Sequence, residues 1–271
     1  MRASDVRRTL RDLGLRPSRR YGQSFLLRGG IARRIALEAD GGSVLEVGPG
    51  LGALTTELAA RAESLCCVEV SPVLADYLRG REDLSDVSVV TGDFLQTDPA
   101  GLPGYPFDVL ASNLPYSISS PALLRLTQPC LSAVRRAVVM LQREVARRIT
   151  AEPGCGDYGR LTLALWPRFE AEALLDAEPR DFYPQPAVRS RVLILRRRDV
   201  PKVPPETMDR FSWLVKVGFS SRRKTLLNNL SAAMDRGAAA ALLSEAGVSR
   251  RARAEELAPE VLAGIAGRLE P

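Results

Sequence analysis

The sequence predicts an α/β protein with a doubly wound, Rossmann-like parallel sheet, followed by a small all-α domain. From Ser43 a short apolar run, a glycine-rich turn and a helical segment follow one another, and the alternation of strand and helix then recurs. Such alternation is typical of parallel sheets with crossover helices. From Thr207 onward the pattern is helical and poor in proline until Pro259, which indicates the second domain.

The elements follow in chain order from these patterns. A helix over 4–13, capped by Ser4 and stopped by Gly14, precedes a basic, irregular arm over 16–23. Two Ser-Pro pairs supply a cap and a first-turn proline for later helices: Ser71-Pro72 and Ser120-Pro121. The predicted strands are SVLEV, LCCVEV, VSVV, FDVLAS and AVVMLQ, then 162–166, 171–175 and 191–196. These runs form one predicted sheet.

Domain boundaries are predicted from the loss of periodicity at DVPKVPPE. We assign 1–42 to an N-terminal helix and basic arm that pack on the α/β domain, 43–200 to the α/β domain itself, and 201–271 to a helical domain. A chain of 271 residues is long enough for one sizeable core and a smaller second unit.

Cysteine usage and hydropathy favour a cytoplasmic protein. The four cysteines form no CxxC pair, so neither a zinc site nor a disulfide framework is predicted, and Cys66 and Cys67 are expected to be buried in a strand. The N-terminus lacks a leader pattern, and no segment approaches the roughly 20 apolar residues of a membrane span.

The chain contains no histidine, which excludes an imidazole base, a Ser-His-Asp triad and a His-bound metal. Any catalysis must use other groups, and we expect no metal. The net charge of +6 and the pI near 9.4 suggest an anionic partner, although arginine accounts for most of the basic residues and the excess alone is weak evidence.

A nucleotide-type cofactor is indicated by the turn after the first strand of the sheet. Its glycines, Gly48 and Gly50 among them, fall as GxGxG, whereas a dehydrogenase would need GxGxxG to hold a pyrophosphate. The pattern suits S-adenosylmethionine, which has no phosphate. Glu69 closes the second strand and could accept both ribose hydroxyls, and Asp93 closes the third and could accept the adenine amino group. A plain turn and solvated strand ends are the alternatives for these residues taken singly.

Together with SNLPYSISSP over 112–121, these motifs resemble those of the KsgA/RsmA ribosomal RNA adenine dimethyltransferases, relatives of the erythromycin-resistance methyltransferases and of mitochondrial transcription factor B. RRYGQSFL over 19–26, FYPQPAVRSRV over 182–192 and FSSRRKTLLNNL over 219–230 extend the resemblance along nearly the whole chain. It implies a class I methyltransferase fold. It also implies that the following residues line the cofactor: Ser24, Leu26, Gly48, Gly50, Glu69, Asp93 and Asn113. Ser24 departs from the family, which commonly has Asn there.

Asn113-Leu114-Pro115-Tyr116 is the predicted catalytic segment. If the Asn113 side-chain oxygen and the Leu114 carbonyl accept the two hydrogens of an adenine amine, the nitrogen lone pair is aimed at the methyl sulfonium and no strong base is needed. Pro115 fixes the backbone so that this carbonyl stays free, and Tyr116 offers a ring face to a flipped-out base. The resemblance adds Phe182 as the opposite face. Core packing is the alternative for both rings.

RNA contact is predicted at basic segments, because phosphate neutralisation drives such binding. The candidates are Arg222, Arg223, Lys224, Arg147, Arg148 and, in the arm, Arg16, Arg19 and Arg20. Solvated helix faces are the alternative, and they are the preferred interpretation for 196–198.

The resemblance implies dimethylation of two adjacent adenines near the 3′ end of small-subunit (16S) ribosomal RNA during ribosome biogenesis, by an enzyme that we expect to be a monomer. A 23S methyltransferase that confers macrolide resistance and a non-catalytic assembly or transcription factor are the alternatives. The intact segment from Asn113 to Tyr116 argues against the non-catalytic factor.

Overall fold

The computed structural model describes residues 2–17 and 23–269. Its strands are Phe25–Leu26 (β1), Ser43–Val47 (β2), Ser64–Glu69 (β3), Ser88–Thr91 (β4), Val109–Asn113 (β5), Arg136–Gln142 (β6), Phe169–Ala177 (β7), Phe182–Tyr183 (β8) and Ser190–Arg197 (β9). Its α-helices are Ala3–Asp12 (α1), Gly29–Glu38 (α2), Thr55–Ala59 (α3), Pro72–Arg79 (α4), Ser119–Arg125 (α5), Arg143–Ile149 (α6), Arg160–Leu165 (α7), Met208–Gly218 (α8), Leu226–Leu230 (α9), Arg236–Glu245 (α10) and Pro259–Arg268 (α11).

The main sheet has the strand order β4-β3-β2-β5-β6-β9-β7. The strands from β2 to β6 pair in parallel, and β9 pairs antiparallel with β6. The order reverses between β2 and β5, and ligands of such sheets bind outside the carboxyl ends of the strands at this point. The predicted doubly wound, Rossmann-like sheet is therefore confirmed. β1 and β8 form a separate antiparallel pair in which Leu26 lies opposite Phe182.

The central strands are buried on both faces, which explains why they read as continuous apolar runs. Ile35 of α2 packs in the same core as Val44 of β2 and Val138 of β6. Cys66 and Cys67 are free thiols buried in β3, as predicted. Burial raises the pKa of the Cys66 thiol to about 11.

Helix starts agree only in part with the sequence prediction. Ser71 caps α4 as predicted, and its hydroxyl accepts the Leu74 N–H at 3.5 Å. The prediction that Ser4 caps the first helix was wrong. α1 begins at Ala3, its N-cap is Arg2, and the Arg2 N–H donates to the Asp5 carboxylate at 3.0 Å. The Ser120-Pro121 pair lies inside the first turn of α5 instead of preceding it.

The chain divides into two compact units, Met1–Ala146 with Ala171–Arg197 and Arg147–Glu170 with Arg198–Pro271. The boundary predicted at 200/201 therefore needs correction, since 147–170 belongs with the C-terminal helices. The reason is apolar packing: Tyr158 is fully buried in one core with Phe211 and Leu214, and its hydroxyl donates to the Leu257 carbonyl at 3.0 Å.

The strand predicted over 162–166 was also wrong, because α7 occupies 160–165. Its apolar residues Leu163 and Leu165 are buried, and short apolar runs do not distinguish a strand from a buried helix. Within 2–17 and 23–269, no helix is long and apolar enough to cross a lipid bilayer.

Candidate active site

A cavity of about 280 Å³ lies at the carboxyl ends of β2, β3, β4 and β5. It therefore occupies the position at which ligands of this sheet topology bind. Most of the residues predicted for cofactor and substrate line it: Ser24, Leu26, Gly48, Gly50, Glu69, Asp93, Asn113, Leu114, Pro115 and Tyr116.

The glycine turn after β2 packs against the predicted catalytic segment. Gly48 has φ +67°, and a Cβ there would lie 3.0 Å from Cγ of Pro115. Gly50 has φ +60°, and its Cβ would lie 3.2 Å from the Phe25 ring. Side chains at these positions would be strained and would crowd the cavity wall, so glycine is required for the turn and for the close approach.

Two acids line the cavity at the ends of β3 and β4. The Gly50 N–H donates to Oε2 of Glu69 and the Ser71 N–H donates to Oε1, each at 3.0 Å. Each carboxylate oxygen keeps a further acceptor position, as the predicted contact with two hydroxyls requires. Burial raises the pKa of Glu69, and the backbone donors partly oppose the rise. Asp93 is exposed, and its Oδ1 accepts the Leu95 N–H at 2.9 Å.

Asn113, the last residue of β5, has its side chain oriented by the N-terminal segment. Its Nδ2 donates to the Ser24 carbonyl at 3.2 Å, which leaves the amide oxygen to accept. The Leu114 N–H donates to the Met140 carbonyl at 3.1 Å. Among the described residues none donates to the Leu114 carbonyl, so this oxygen and that of Asn113 are both open to a donor.

Tyr116 is held by a residue that sequence reasoning missed. Its hydroxyl lies 2.6 Å from Oγ of Ser190, the fully buried first residue of β9. Burial raises the pKa of the Tyr116 phenol, and the bond to Ser190 partly opposes the rise. The phenol thus stays neutral, and the bond fixes the ring at the cavity wall.

Two predicted site residues act differently from expectation. The Ser24 hydroxyl donates to the Pro184 carbonyl at 3.1 Å, so the contribution of Ser24 to the cavity comes through its backbone carbonyl on Asn113. Phe182 is 1% exposed and belongs to the core with Leu26 and Ile35, outside the cavity lining. The role of Phe182 as the opposite stacking face is corrected, because its ring is already used in core packing.

Glu46 is a further cavity residue that received no role from the sequence. It is 2% exposed, and the Cys67 thiol donates to its Oε2 at 3.4 Å. Burial raises the pKa of Glu46 to about 7, with a smaller contribution from the charge of Glu69. The cavity therefore contains a carboxyl that titrates near neutral pH.

Two of the predicted RNA-binding cations are bonded to acids or carbonyls. Arg147 pairs with Asp157 at 2.7 Å, and Arg222 pairs with Glu255 at 2.6 Å. Arg222 also donates to the Gly156 carbonyl at 2.7 Å. These two arginines help to hold the helical unit together.

Other basic side chains of the helical unit are exposed: Arg148, Arg223, Lys224, Arg250 and Arg251. The last two were missed from the sequence. They lie beside 222–226 because the Leu226 N–H donates to the Ala252 carbonyl at 2.8 Å. In the arm, Arg16 is exposed, and Arg19 and Arg20 lie outside the described residues.

The solvated charge predicted for 196–198 was wrong for Arg197 and Arg198, which are partly buried, whereas Arg196 is exposed. Arg196 pairs with Glu172 at 2.8 Å. Arg197 donates to the Val134 carbonyl at 2.7 Å, and Arg198 pairs with Glu170. These side chains form ion pairs and hydrogen bonds between neighbouring segments of the same unit.

The strand order, the cavity at the point where it reverses and the donor set around it define a class I S-adenosylmethionine-dependent methyltransferase. The residues present fit this cofactor, because the glycine turn leaves room at the wall and two carboxylates offer acceptors for hydroxyl and amino groups. The chain belongs to the ribosomal RNA adenine dimethylase family, whose family model matches residues 15–270.

Relatives match almost the whole chain. The "Ribosomal RNA small subunit methyltransferase A" of Myxococcus xanthus is 40% identical over 265 residues, which cover 95% of this chain and 93% of the relative. The protein of the same name from Acidobacterium capsulatum is 41% identical over 262 residues, covering 93% and 90%. The family resemblance noted in the sequence is confirmed.

Solved structures agree with this assignment. The 23S rRNA methyltransferase ErmE is 33% identical, with a TM-score of 0.68, and the match covers 90% of this chain and 99% of ErmE. A dimethyladenosine transferase from Plasmodium falciparum has a TM-score of 0.74 over 89% of this chain and 95% of its own; at 23% identity it supports the fold alone.

Proposed function

We propose that the protein transfers methyl groups from S-adenosylmethionine to N6 of two adjacent adenines near the 3′ end of small-subunit (16S) ribosomal RNA, giving N6,N6-dimethyladenines. Relatives that carry the small-subunit name match more than nine-tenths of the chain, which supports the target. The chemistry rests on one observation: the Asn113 amide donates to the Ser24 carbonyl, so its oxygen is the group left for substrate.

When bound, S-adenosylmethionine supplies an electrophilic methyl group. Glu69 holds the ribose hydroxyls through the two oxygens that backbone N–H groups already orient. Asp93 accepts from the adenine amino group of the cofactor, and the exposed edge of Val70 gives that adenine an apolar contact. The absence of a metal stays a prediction.

The acceptor amine is positioned by Asn113 and Leu114. In the first transfer its two hydrogens are accepted by the Asn113 side-chain oxygen and the Leu114 carbonyl, which turns the nitrogen lone pair toward the methyl group. In the second transfer one of these oxygens accepts the single hydrogen that remains. The Tyr116 ring, fixed by Ser190, contacts the face of the flipped-out adenine. Positioning of this kind can supply up to about 7–11 kcal/mol of a barrier. For each methyl group that it gains, the amine forms one N–C bond and releases one proton to solvent, while the methyl–sulfur bond breaks and its electron pair stays on sulfur.

RNA binding is proposed for the exposed cations of the helical unit, Arg148, Arg223, Lys224, Arg250 and Arg251, and for Arg16 of the arm. Monomeric state and cytoplasmic location stay predictions.

A parallel methylation assay tests the proposal. Purified protein and radiolabelled S-adenosylmethionine are combined with undermethylated small subunits, fully dimethylated small subunits, large subunits and naked RNA. We expect label on the undermethylated small-subunit samples alone, recovered as N6,N6-dimethyladenine. Label on large-subunit adenines would favour the activity that the name of ErmE describes, and transfer to none of the samples would refute the enzyme assignment.

A further inference from the structure

A second cavity, of about 350 Å³, lies between α1, the turn that follows it and β8. Arg7, Arg11, Arg16 and Tyr183 line it together with apolar residues and glycine. The guanidinium carbon of Arg7 lies 4.9 Å from the centroid of the Tyr183 ring. We call this feature the arginine pocket.

The charge of the arginine pocket is uncompensated within its lining. Three arginine side chains line it, and none of the described residues in its wall is acidic. On the same helix, Arg8 pairs with Asp5 at 3.8 Å, so acids are present on α1 but lie on another face. Within 2–17 and 23–269, no acid forms an ion pair with the three pocket arginines. Like charges held together in this way favour a bound anion.

The geometry suits a phosphate group in particular. The Arg7 guanidinium lies over the Tyr183 ring, and this cation–π contact restrains the side chain at the pocket wall, where its N–H groups can donate to an oxygen-rich anion. Guanidinium groups form bidentate bonds with phosphate, and less side-chain freedom is lost when one of them is already fixed. Tyr183 therefore acts as a platform for the arginine.

The arginine pocket shares a wall with the catalytic cavity. Its Leu10 packs in one cluster with Phe25 and Leu51, and both of these residues line the cavity. Tyr183 lies opposite Phe25 in the β1–β8 pair. Phe25 follows Ser24, whose carbonyl orients the Asn113 amide. An anion in the pocket would thus lie one strand pair away from the catalytic asparagine.

We propose that Arg7, Arg11 and Arg16 form a binding subsite for a backbone phosphate of the acceptor RNA close to the target adenine. The proposal rests on the proposed function, since it takes the polyanion to be the RNA that is methylated. Contact at this point adds affinity for the RNA strand close to Asn113 without touching the reacting groups, whereas the cations of the helical unit bind other phosphates.

Charge-removing variants test the subsite. Arg7→Gln, Arg11→Gln and the pair are compared with Arg8→Gln, a matched control on the same helix outside the pocket. The probes are a naked 3′-terminal fragment of small-subunit RNA and undermethylated small subunits. Affinity is measured without cofactor across a salt series, and methyl transfer is measured separately.

The pair should weaken RNA binding about tenfold at about 50 mM salt and reduce the slope of log affinity against log salt by about 0.7–0.9, because one phosphate is no longer neutralised. The Km for RNA should rise, while kcat, S-adenosylmethionine affinity and the melting temperature stay at the wild-type level. Arg7→Lys should bind RNA more tightly than Arg7→Gln but more weakly than wild type. Lysine restores the positive charge, but it lacks the planar guanidinium that forms bidentate bonds with phosphate.

A pair variant that matches Arg8→Gln in affinity and salt slope would overturn the subsite, even if methyl transfer to small subunits is intact. Inorganic phosphate that raises the melting temperature of wild type but not of the pair, with unchanged RNA binding, would make the pocket a site for the free ion and refute the RNA contact. Binding that depends on Arg7 and Arg11 without any methyl transfer would refute the proposed function and leave the arginine pocket as an RNA-phosphate site without an acceptor role. Failure of wild type to bind either probe would refute both.

Discussion

The cavity at the strand ends and the basic surface of the helical unit differ in how their polar groups are held. In the cavity, Asn113 and Glu69 are oriented by backbone groups and still have open acceptor positions. In the helical unit, Arg147 and Arg222 are already bonded to acids, and the cations beside them, among them Arg223 and Lys224, are exposed to solvent. The cavity therefore has directional chemistry, whereas the basic surface supplies mainly charge.

The largest effect is expected for Asn113→Ala, which removes the oriented acceptor. Methyl transfer should fall by about a thousandfold, as when one preorganised hydrogen-bonding group is removed from an active site. RNA binding and the melting temperature should change little. Single-turnover kinetics with undermethylated small subunits provide the measurement, and Asn228→Ala at an exposed position is the control. If Asn113→Ala transfers methyl groups at the wild-type rate, the Asn113 side-chain oxygen does not orient the acceptor amine.

Glu46→Gln tests whether Glu46, one of the two buried acids of the cavity, titrates near neutral pH and thereby makes the stability depend on pH. Burial raises the pKa of Glu46 from 4.5 to about 7, so the folded state binds its proton more tightly than the unfolded state does. Stability from this group is present below about pH 4.5 and is lost as pH rises through about 7. Between about pH 5 and about pH 8, wild type should lose up to about 3 kcal/mol of unfolding free energy that the variant keeps.

Urea unfolding at both pH values measures this difference, with the exposed Glu63→Gln as control. If the unfolding free energies of wild type and Glu46→Gln change equally between the two pH values, Glu46 does not titrate in this range.

Ser190→Ala tests whether the Tyr116 ring needs its anchor. Removal of the 2.6 Å bond should lower kcat by about tenfold, the size of one buried hydrogen bond, and leave cofactor affinity unchanged. Tyr116→Phe should lower kcat by a similar factor, and the double variant should be no worse than either single one. Additive effects would mean that the two residues act independently. Ser132→Ala, which is exposed, is the control.

The smallest effects are expected on the basic surface. Replacing Arg223 and Lys224 by Gln should weaken RNA binding about threefold to fivefold and flatten its salt dependence. Arg222→Gln should mainly lower the melting temperature, because it breaks the contacts with Glu255 and the Gly156 carbonyl. Titrations over a salt series and thermal unfolding separate the two outcomes. If the slope of log RNA affinity against log salt is the same in wild type and all of these variants, the basic residues of this surface do not contact RNA phosphates and are solvated charges.

The sequence predicts the cavity well because its residues follow strand ends, and a parallel sheet brings those ends to one edge. Glu69, Asp93 and Asn113 each close a strand, so their meeting follows from fold class alone. The direction in which each side chain faces does not follow. The bond from Asn113 to the Ser24 carbonyl spans 89 residues of chain and depends on how the N-terminal segment packs.

Contacts distant in the sequence account for what was missed. Ser190 lies 74 residues from Tyr116, and the two meet only because β9 pairs antiparallel with β6. Arg222 and Glu255 are separated by 33 residues, and nothing local marks them as partners. Phe182 is the first residue of the motif over 182–192, but its burial depends on the pairing of β8 with β1, where it lies opposite Leu26.

Catalysis by orientation is the central claim, and the pH dependence of the methyl-transfer step tests it most directly. Asn113 and Leu114 accept hydrogen bonds and do not titrate, whereas Glu46 is the cavity carboxyl with a pKa of about 7 and so the natural alternative base. At saturating cofactor and RNA, the single-turnover rate should be constant from about pH 6.5 to about pH 9 in wild type and Glu46→Gln alike. A rate that rises about tenfold per pH unit to a plateau above about pH 7, and loses that rise in Glu46→Gln, would contradict the account.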